Sequence, residues 1–306
     1  MTASRTVELH YHVDIPTPNN LGDPIQIWMP LPPATPEQEV IAIQTDSTAP
    51  VSVRYDPVFG NAILHAVIGG TATGPAHVGY RAVVERREWR VDLSRAPRGT
   101  LAQDAQLLLP QLSETRRIRF LPEIVAAANE IRAGGKDALS MARAAYDHVL
   151  ATMTYDKSEE GWGTGDTEWA CAMGKGNCTD FHTLFLAILR SCGVACEFEI
   201  GSAFPAGMSG GDITHFKCGY HCWTRFYVPG LGWVPADVSE ASRHPEKREY
   251  FFGAIDEDRV LLSRGRDIQM VPASQGGLEN FFTEPRIEKQ SGGSVIYEKK
   301  LEFSSL

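Results

Sequence analysis

The run Phe181-His182-Thr183-Leu184-Phe185-Leu186-Ala187-Ile188-Leu189 is apolar on nearly every side of a helix. A helix without a polar face must be covered all round, so the rest of its domain has to be built about it. Gly193 can end it. The residues that lead into it have a different character. Positions 156–177 carry Gly161, Gly163, Gly165, Gly174 and Gly176, with Trp162 and Trp169, and no clear period. They read as a structureless loop, and loops of that length inside a compact domain are uncommon and usually functional. This one delivers Cys178 to the start of the helix.

The first hundred residues read as β-structure. Val7, Leu9, Tyr11 and Val13 alternate with Glu8, His10 and His12, the period of a half-buried strand. Further strands are expected at 25–29, ended by Pro30, Pro32 and Pro33, and at 51–53, 62–68 and 78–91. Short strands at this spacing suggest a sandwich. Residues 94–113 read as a linker. Pro122 can open a helix with Ile124, Val125, Ala128 and Ile131 on its inner face. Asp137 can cap a second helix, with Leu139, Ala142, Tyr146, Val149 and Met153 inside. After the apolar helix, 197–204, 220–228 and 233–238 read as strands, the last two joined by a turn at 229–232. Helices followed by strands favour an α+β fold, helices packed on an antiparallel sheet. The expected division is an N-terminal β-sandwich domain over 1–95 and a catalytic domain over 96–306.

Composition narrows the function. Hydrophobic residues make up 43% and charged residues 22%, as in soluble globular proteins. A net charge of −9 argues against nucleic acid or an anionic membrane as partner, and the densest basic run, 116–119, is short. Residues 1–9 hold no signal-like apolar core and no stretch approaches a membrane span, so a soluble, cytoplasmic protein is expected. All six cysteines fall between Cys171 and Cys222, which excludes a disulfide framework and points to free thiols.

Cys178 is the candidate nucleophile. A thiol at a helix start sees the positive end of the helix dipole, which favours the thiolate. The flanking glycines allow close approach of a substrate, and the Cys178 N–H can donate to an oxyanion. A nucleophile needs a base, and the base an orienting group. His221 and Asp237 flank a Pro-Gly turn. With the hairpin centred on Pro229, His221 lies opposite Asp237, Trp223 opposite Pro235 and Arg225 opposite Trp233, within side-chain reach. An even-numbered loop would put His221 and Asp237 on opposite faces.

Four segments then carry a resemblance. They are Gly176-Asn177-Cys178-Thr179-Asp180-Phe181-His182, Leu189-Arg190-Ser191-Cys192-Gly193-Val194, His221-Cys222-Trp223 and Gly232-Trp233-Val234-Pro235-Ala236-Asp237. In order and spacing they resemble the core of the transglutaminase-like superfamily, over about residues 150–270. The resemblance implies a papain-like fold and a Cys178-His221-Asp237 triad. It also implies an N-terminal β-domain and a second oxyanion donor upstream of the cysteine, for which Tyr155, Trp162 and Trp169 are the candidates. The expected activity is that of a cysteine peptidase or amidase acting on a peptide or protein substrate, through an acyl-enzyme and without a cofactor. Acyl transfer to an amine is the alternative within the class. A zinc site built from His215, Cys218, His221 and Cys222 with Cys171, Cys178 and His182 is a rival, with poor spacing for zinc. A non-catalytic binding module is another, opposed by all three triad positions being filled. Cys192 and Cys196 read as core thiols, and Asp180 and Arg225 as capping or ion-pair residues.

Overall fold

The structure is a computed structural model, and it describes residues 3–16, 22–70, 74–97, 108–204, 216–217 and 219–306. The chain divides into two compact units, neither continuous in sequence. One comprises Met1–Glu88, Ile200–Tyr220 and Asp256–Leu306, the other Trp89–Glu199 and His221–Ile255.

The first unit is the β-rich one. Its strands are β1 (Ser4–Ile15), β2 (Ile25–Pro30), β3 (Gln38–Ser47), β4 (Val51–Tyr55), β5 (Ala62–Ile68) and β6 (Ala76–Arg87). β1 alternates as the sequence requires, with Val7, Leu9, Tyr11, Val13 and Ile15 buried. Two strands from the far end of the chain complete the sheets: Arg286–Lys289 pairs with β2 and Glu298–Ser305 with β1. The sheet orders are (Phe216–Lys217)-(Glu298–Ser305)-β1-β6-β3 and (Arg286–Lys289)-β2-β5-β4. Their inner residues form one core that joins Leu9, Tyr11 and Tyr80 of one sheet to Ile27, Met29 and Leu64 of the other. The division therefore differs from the linear one expected at residue 95. Antiparallel pairing brings the last residues of the chain back to β1 and β2.

The second unit holds α1 (Pro122–Gly134), α2 (Ala138–Thr152), α3 (Thr167–Met173) and α4 (Cys178–Ser191). It also holds the start of β7 (Cys196–Ala203), β8 (Tyr220–Val228, from His221), β9 (Gly232–Ala236) and α5 (Val238–Arg243). The strands run β9-β8-β7, with β8 and β9 antiparallel. Every residue of α4 from Cys178 to Arg190 is buried. Gly193 takes the left-handed conformation just past its end, at φ +82°. Asp137 caps α2 in a reciprocal box with Ser140. Two expected inner positions are not inside: Val125 of α1 is 36% exposed, and Leu139 of α2 is half-buried. The expected loop at 156–177 is partly ordered as α3, capped by Asp166 at one end and Gly174 at the other. Among the described residues no helix is long and apolar enough to cross a membrane.

Candidate active site

The mouth of α4 is fixed by its own first turn. Asn177 is the N-cap and accepts from the Thr179 N–H at 2.9 Å, while Asp180 accepts from the Asn177 N–H at 3.0 Å. Asp180, fully buried, also accepts from the N–H groups of Gly163 (2.7 Å) and Gly165 (3.0 Å). One carboxylate thus ties the preceding loop to the helix start. A Cβ on Gly176 would lie 2.6 Å from that of Asp180, so only glycine fits before Asn177. Cys178 is the first helical residue, 3% exposed, and its N–H is one of the unsatisfied donors of the first turn.

His221 stands at the start of β8, and Asp237 follows β9 as the N-cap of α5. Asp237 is fully buried. Its Oδ2 meets His221 Nε2 at 2.8 Å, while its Oδ1 accepts from the Glu240 N–H and from Ser239 Oγ, each at 3.0 Å. With Nε2 so engaged, Nδ1 is the nitrogen left for Cys178, which lies within electrostatic reach of the ring. The expected register needs correction. β8 pairs Val228 with Gly232, Tyr227 with Trp233 and Thr224 with Ala236, so the hairpin centres on Gly230 rather than Pro229. Pro229 takes the second position of a turn closed by the Leu231 N–H to Val228 carbonyl bond at 3.0 Å. Gly230 (φ +77°) takes the third, where a left-handed residue is needed. His221 and Asp237 are therefore diagonal rather than opposed, a separation their side chains still span. Arg225 pairs with Pro235 but reaches back over Trp233, 4.6 Å from the ring centre, and donates to Glu197 at 2.7 Å.

Two side chains given no catalytic part by the sequence complete the cluster. His182, one turn beyond Cys178 and fully buried, accepts the Val238 N–H on Nε2 at 3.1 Å and faces Cys222 Sγ from Nδ1 at 3.3 Å. Cys222 Sγ donates to Thr179 Oγ1 at 3.8 Å and lies within electrostatic reach of Cys178. Position i+4 on α4 was the available signal for His182. For Cys222 strand alternation points the other way, since neighbours of a strand normally face opposite sides.

The thiols separate electrostatically. The Cys222 thiol is the largest influence on Cys178; burial opposes it, and His221 and His182 reinforce it, holding Cys178 well below the usual thiol range. Burial and the neighbouring Cys178 keep Cys222 well above that range. Burial likewise pushes Cys171 and Cys192 up to about 11 and raises Cys196 further. Burial opposes the charged form of His221, but Asp237 and Cys178 outweigh it and push the ring up to about 10. The two opposite shifts favour a thiolate beside an imidazolium.

Of the zinc alternative, His215 and Cys218 lie outside the described residues. Among the described residues no group of three or more His, Cys, Asp or Glu is arranged to hold a metal ion. Of the three aromatic residues upstream of the cysteine, Tyr155 is half-buried and within electrostatic reach of Cys178. The Trp169 indole N–H is donated to the Glu160 carbonyl at 3.1 Å, and Trp162 is 39% exposed.

A long apolar helix opening on a thiol, with a histidine supplied by the neighbouring sheet, is the arrangement of a papain-like fold. Residues 125–238 match the model of the transglutaminase-like superfamily. An uncharacterized protein of Haemophilus influenzae is 28% identical over 184 residues, covering 50% of this chain and 50% of that protein. The chain thus spans about half the length of this curated relative. A candidate cysteine protease from Cytophaga hutchinsonii shares the fold, with a TM-score of 0.65 at 15% identity, over 100% of this chain and 93% of that one. The periplasmic domain of TgpA from Pseudomonas aeruginosa matches at a TM-score of 0.39 and 13% identity, over 80% of this chain and 90% of that one.

Proposed function

We propose that the protein is a cysteine peptidase or amidase that cleaves a peptide or isopeptide bond through an acyl-enzyme. The observation that carries the reading is the 2.8 Å contact of His221 Nε2 with the buried Asp237 carboxylate, with the Cys178 thiol at the mouth of α4 within electrostatic reach of the same ring. The Cys178 thiolate attacks the amide carbonyl, and the developing oxyanion takes a hydrogen bond from the Cys178 N–H. Tyr155 is the proposed second donor, since burial keeps its hydroxyl protonated and it neighbours the sulfur. His221 passes its Nδ1 proton to the leaving amine, then takes one from the water that attacks the thioester. Asp237 holds the ring in the orientation both transfers require. Water needs no dedicated acceptor site, which favours hydrolysis over transfer to an amine.

The test is mass analysis of products from a peptide and isopeptide library, with and without added primary amine, using wild type and Cys178→Ala. Hydrolysis products with wild type and none with Cys178→Ala are expected. Exclusive amine adducts would replace hydrolysis by acyl transfer, and activity retained in Cys178→Ala would end the reading.

A further inference from the structure

His182 Nε2 lies 3.1 Å from the Val238 backbone nitrogen and 3.4 Å from Asp237 Oδ1. This Nε2 accepts from the Val238 N–H, so Nδ1 carries the hydrogen and donates to Cys222 Sγ. With one side of that sulfur facing a ring nitrogen, the Cys222 S–H points toward Thr179 Oγ1 at 3.8 Å, in the residue next to Cys178, whose sulfur is within electrostatic reach of Cys222. Val238 adjoins Asp237 in the chain. Two consecutive residues at the start of α5 thus each hold a side chain that faces the same sulfur, Asp237 through His221 and Val238 through His182 and Cys222. His182 and Cys222 are completely buried, so their geometry is set by packing rather than solvent.

We propose that His182 and Cys222 are positioning residues, a second arm that fixes the Cys178 sulfur and supplies it with an S–H donor. The inference rests on Cys178 being the nucleophile. A donor to an ionised sulfur makes a charge-assisted hydrogen bond, worth more than a neutral one, and here it acts in a dry site. The first arm moves protons during the reaction. The second has no proton to give up, because Cys222 stays a thiol beside the charged sulfur. Its effect is on how much of Cys178 is thiolate and where that thiolate points. The ionisable groups facing this pair are His182 and Asp180 on α4, His221 on β8, Asp237 at the cap of α5, and Tyr155.

The experiment follows the rate at which iodoacetamide alkylates Cys178 as a function of pH, read on the Cys178 peptide by mass spectrometry. It compares wild type with Cys222→Ala, Cys222→Ser, His182→Leu and His182→Gln. In Cys222→Ala the titration is expected to move up by about one pH unit, a roughly ten-fold slower reaction on the acid side. Cys222→Ser, which keeps a donor, recovers more than half of that shift. His182→Leu moves it in the same direction, and His182→Gln, which can still donate to Cys222, moves it less. Thermal melts establish that each variant is folded. If Cys222→Ala does not fold, the His182 pair decides alone. An unchanged profile in Cys222→Ala or His182→Leu overturns the second arm, as does a shift that serine fails to recover. Alkylation needs no substrate, so this outcome is separate from that of the library assay. If Cys178 is not the fastest-reacting thiol in wild type, both readings fall together.

Discussion

Asp237 uses its two oxygens for different purposes, one on His221 and one on the first turn of α5. The distinction decides which substitution is informative. Asparagine is as good an N-cap as aspartate, whereas alanine forfeits about 1 kcal/mol of helix stability. Asp237→Asn therefore removes the charge and the correct ring orientation but keeps the cap. A fall in kcat/KM of about 10²- to 10⁴-fold is expected with the urea midpoint little changed. Asp237→Ala should lose both. Equal destabilisation by the two variants would show that the cap is not made. The same carboxylate sets the pH profile. Cys178 is held below its ordinary range, so thiolate is lost only as pH falls through that lowered value. His221 is raised to about 10, so the imidazolium is lost as pH rises through it. Activity should hold a broad plateau between these limits and decline above about pH 10. Asp237→Asn should bring the alkaline limb down, and a limb unmoved by that change would mean His221 is charged by something else. Cys178 at the start of α4 and the meeting of His221 with Asp237 were legible in the sequence because helix-start and hairpin signals are local. The register was not. Which residue centres a Pro-Gly turn depends on the left-handed glycine, and Gly230 and Gly232 both qualify.

At the scale of elements, the start of α4 depends on Asp180 more than on any apolar contact. Its carboxylate serves three backbone N–H groups, two of them in the loop before the helix. Asp180→Ala would leave these buried donors without an acceptor. Each such group costs about 1–3 kcal/mol, so a loss of about 3 kcal/mol in urea unfolding is expected, with slower alkylation of Cys178. Asp180→Asn keeps one acceptor oxygen and should fall between. A neutral result for alanine would mean that water replaces the carboxylate and the loop is not held by it. The sequence disclosed that a cap belongs here, but not that it reaches back to Gly163. Other elements were hidden for physical reasons. α3 is two turns long, too short to display a period. β3 exposes most of its side chains, with Ile41 and Ile43 facing out, so it lacks the alternation by which β1 was read.

At the scale of the molecule, the chain is organised by pairings that no local pattern encodes. Alternation announces that a strand exists and leaves its partner open. Glu298–Ser305, which the sequence pattern leaves unassigned, runs antiparallel to β1 from Val7↔Ser305 to Asp14↔Glu298. A boundary drawn at residue 95 therefore assigned these residues to the wrong unit. Phe303 anchors this return. It is 2% exposed, lies beside Leu9 in the ladder, and packs edge-on against Phe204 at 4.8 Å between ring centres. Truncating a buried phenylalanine costs about 3–5 kcal/mol, through lost transfer energy and the cavity left behind. Phe303→Ala should lower stability by about that amount in urea. Lys300→Ala, on the same strand but exposed, should change it by less than about 0.5 kcal/mol. A loss below about 1 kcal/mol at Phe303 would mean that the last strand rests on the sheet without being part of its core. The β-rich unit would then close on β1 and β6 alone.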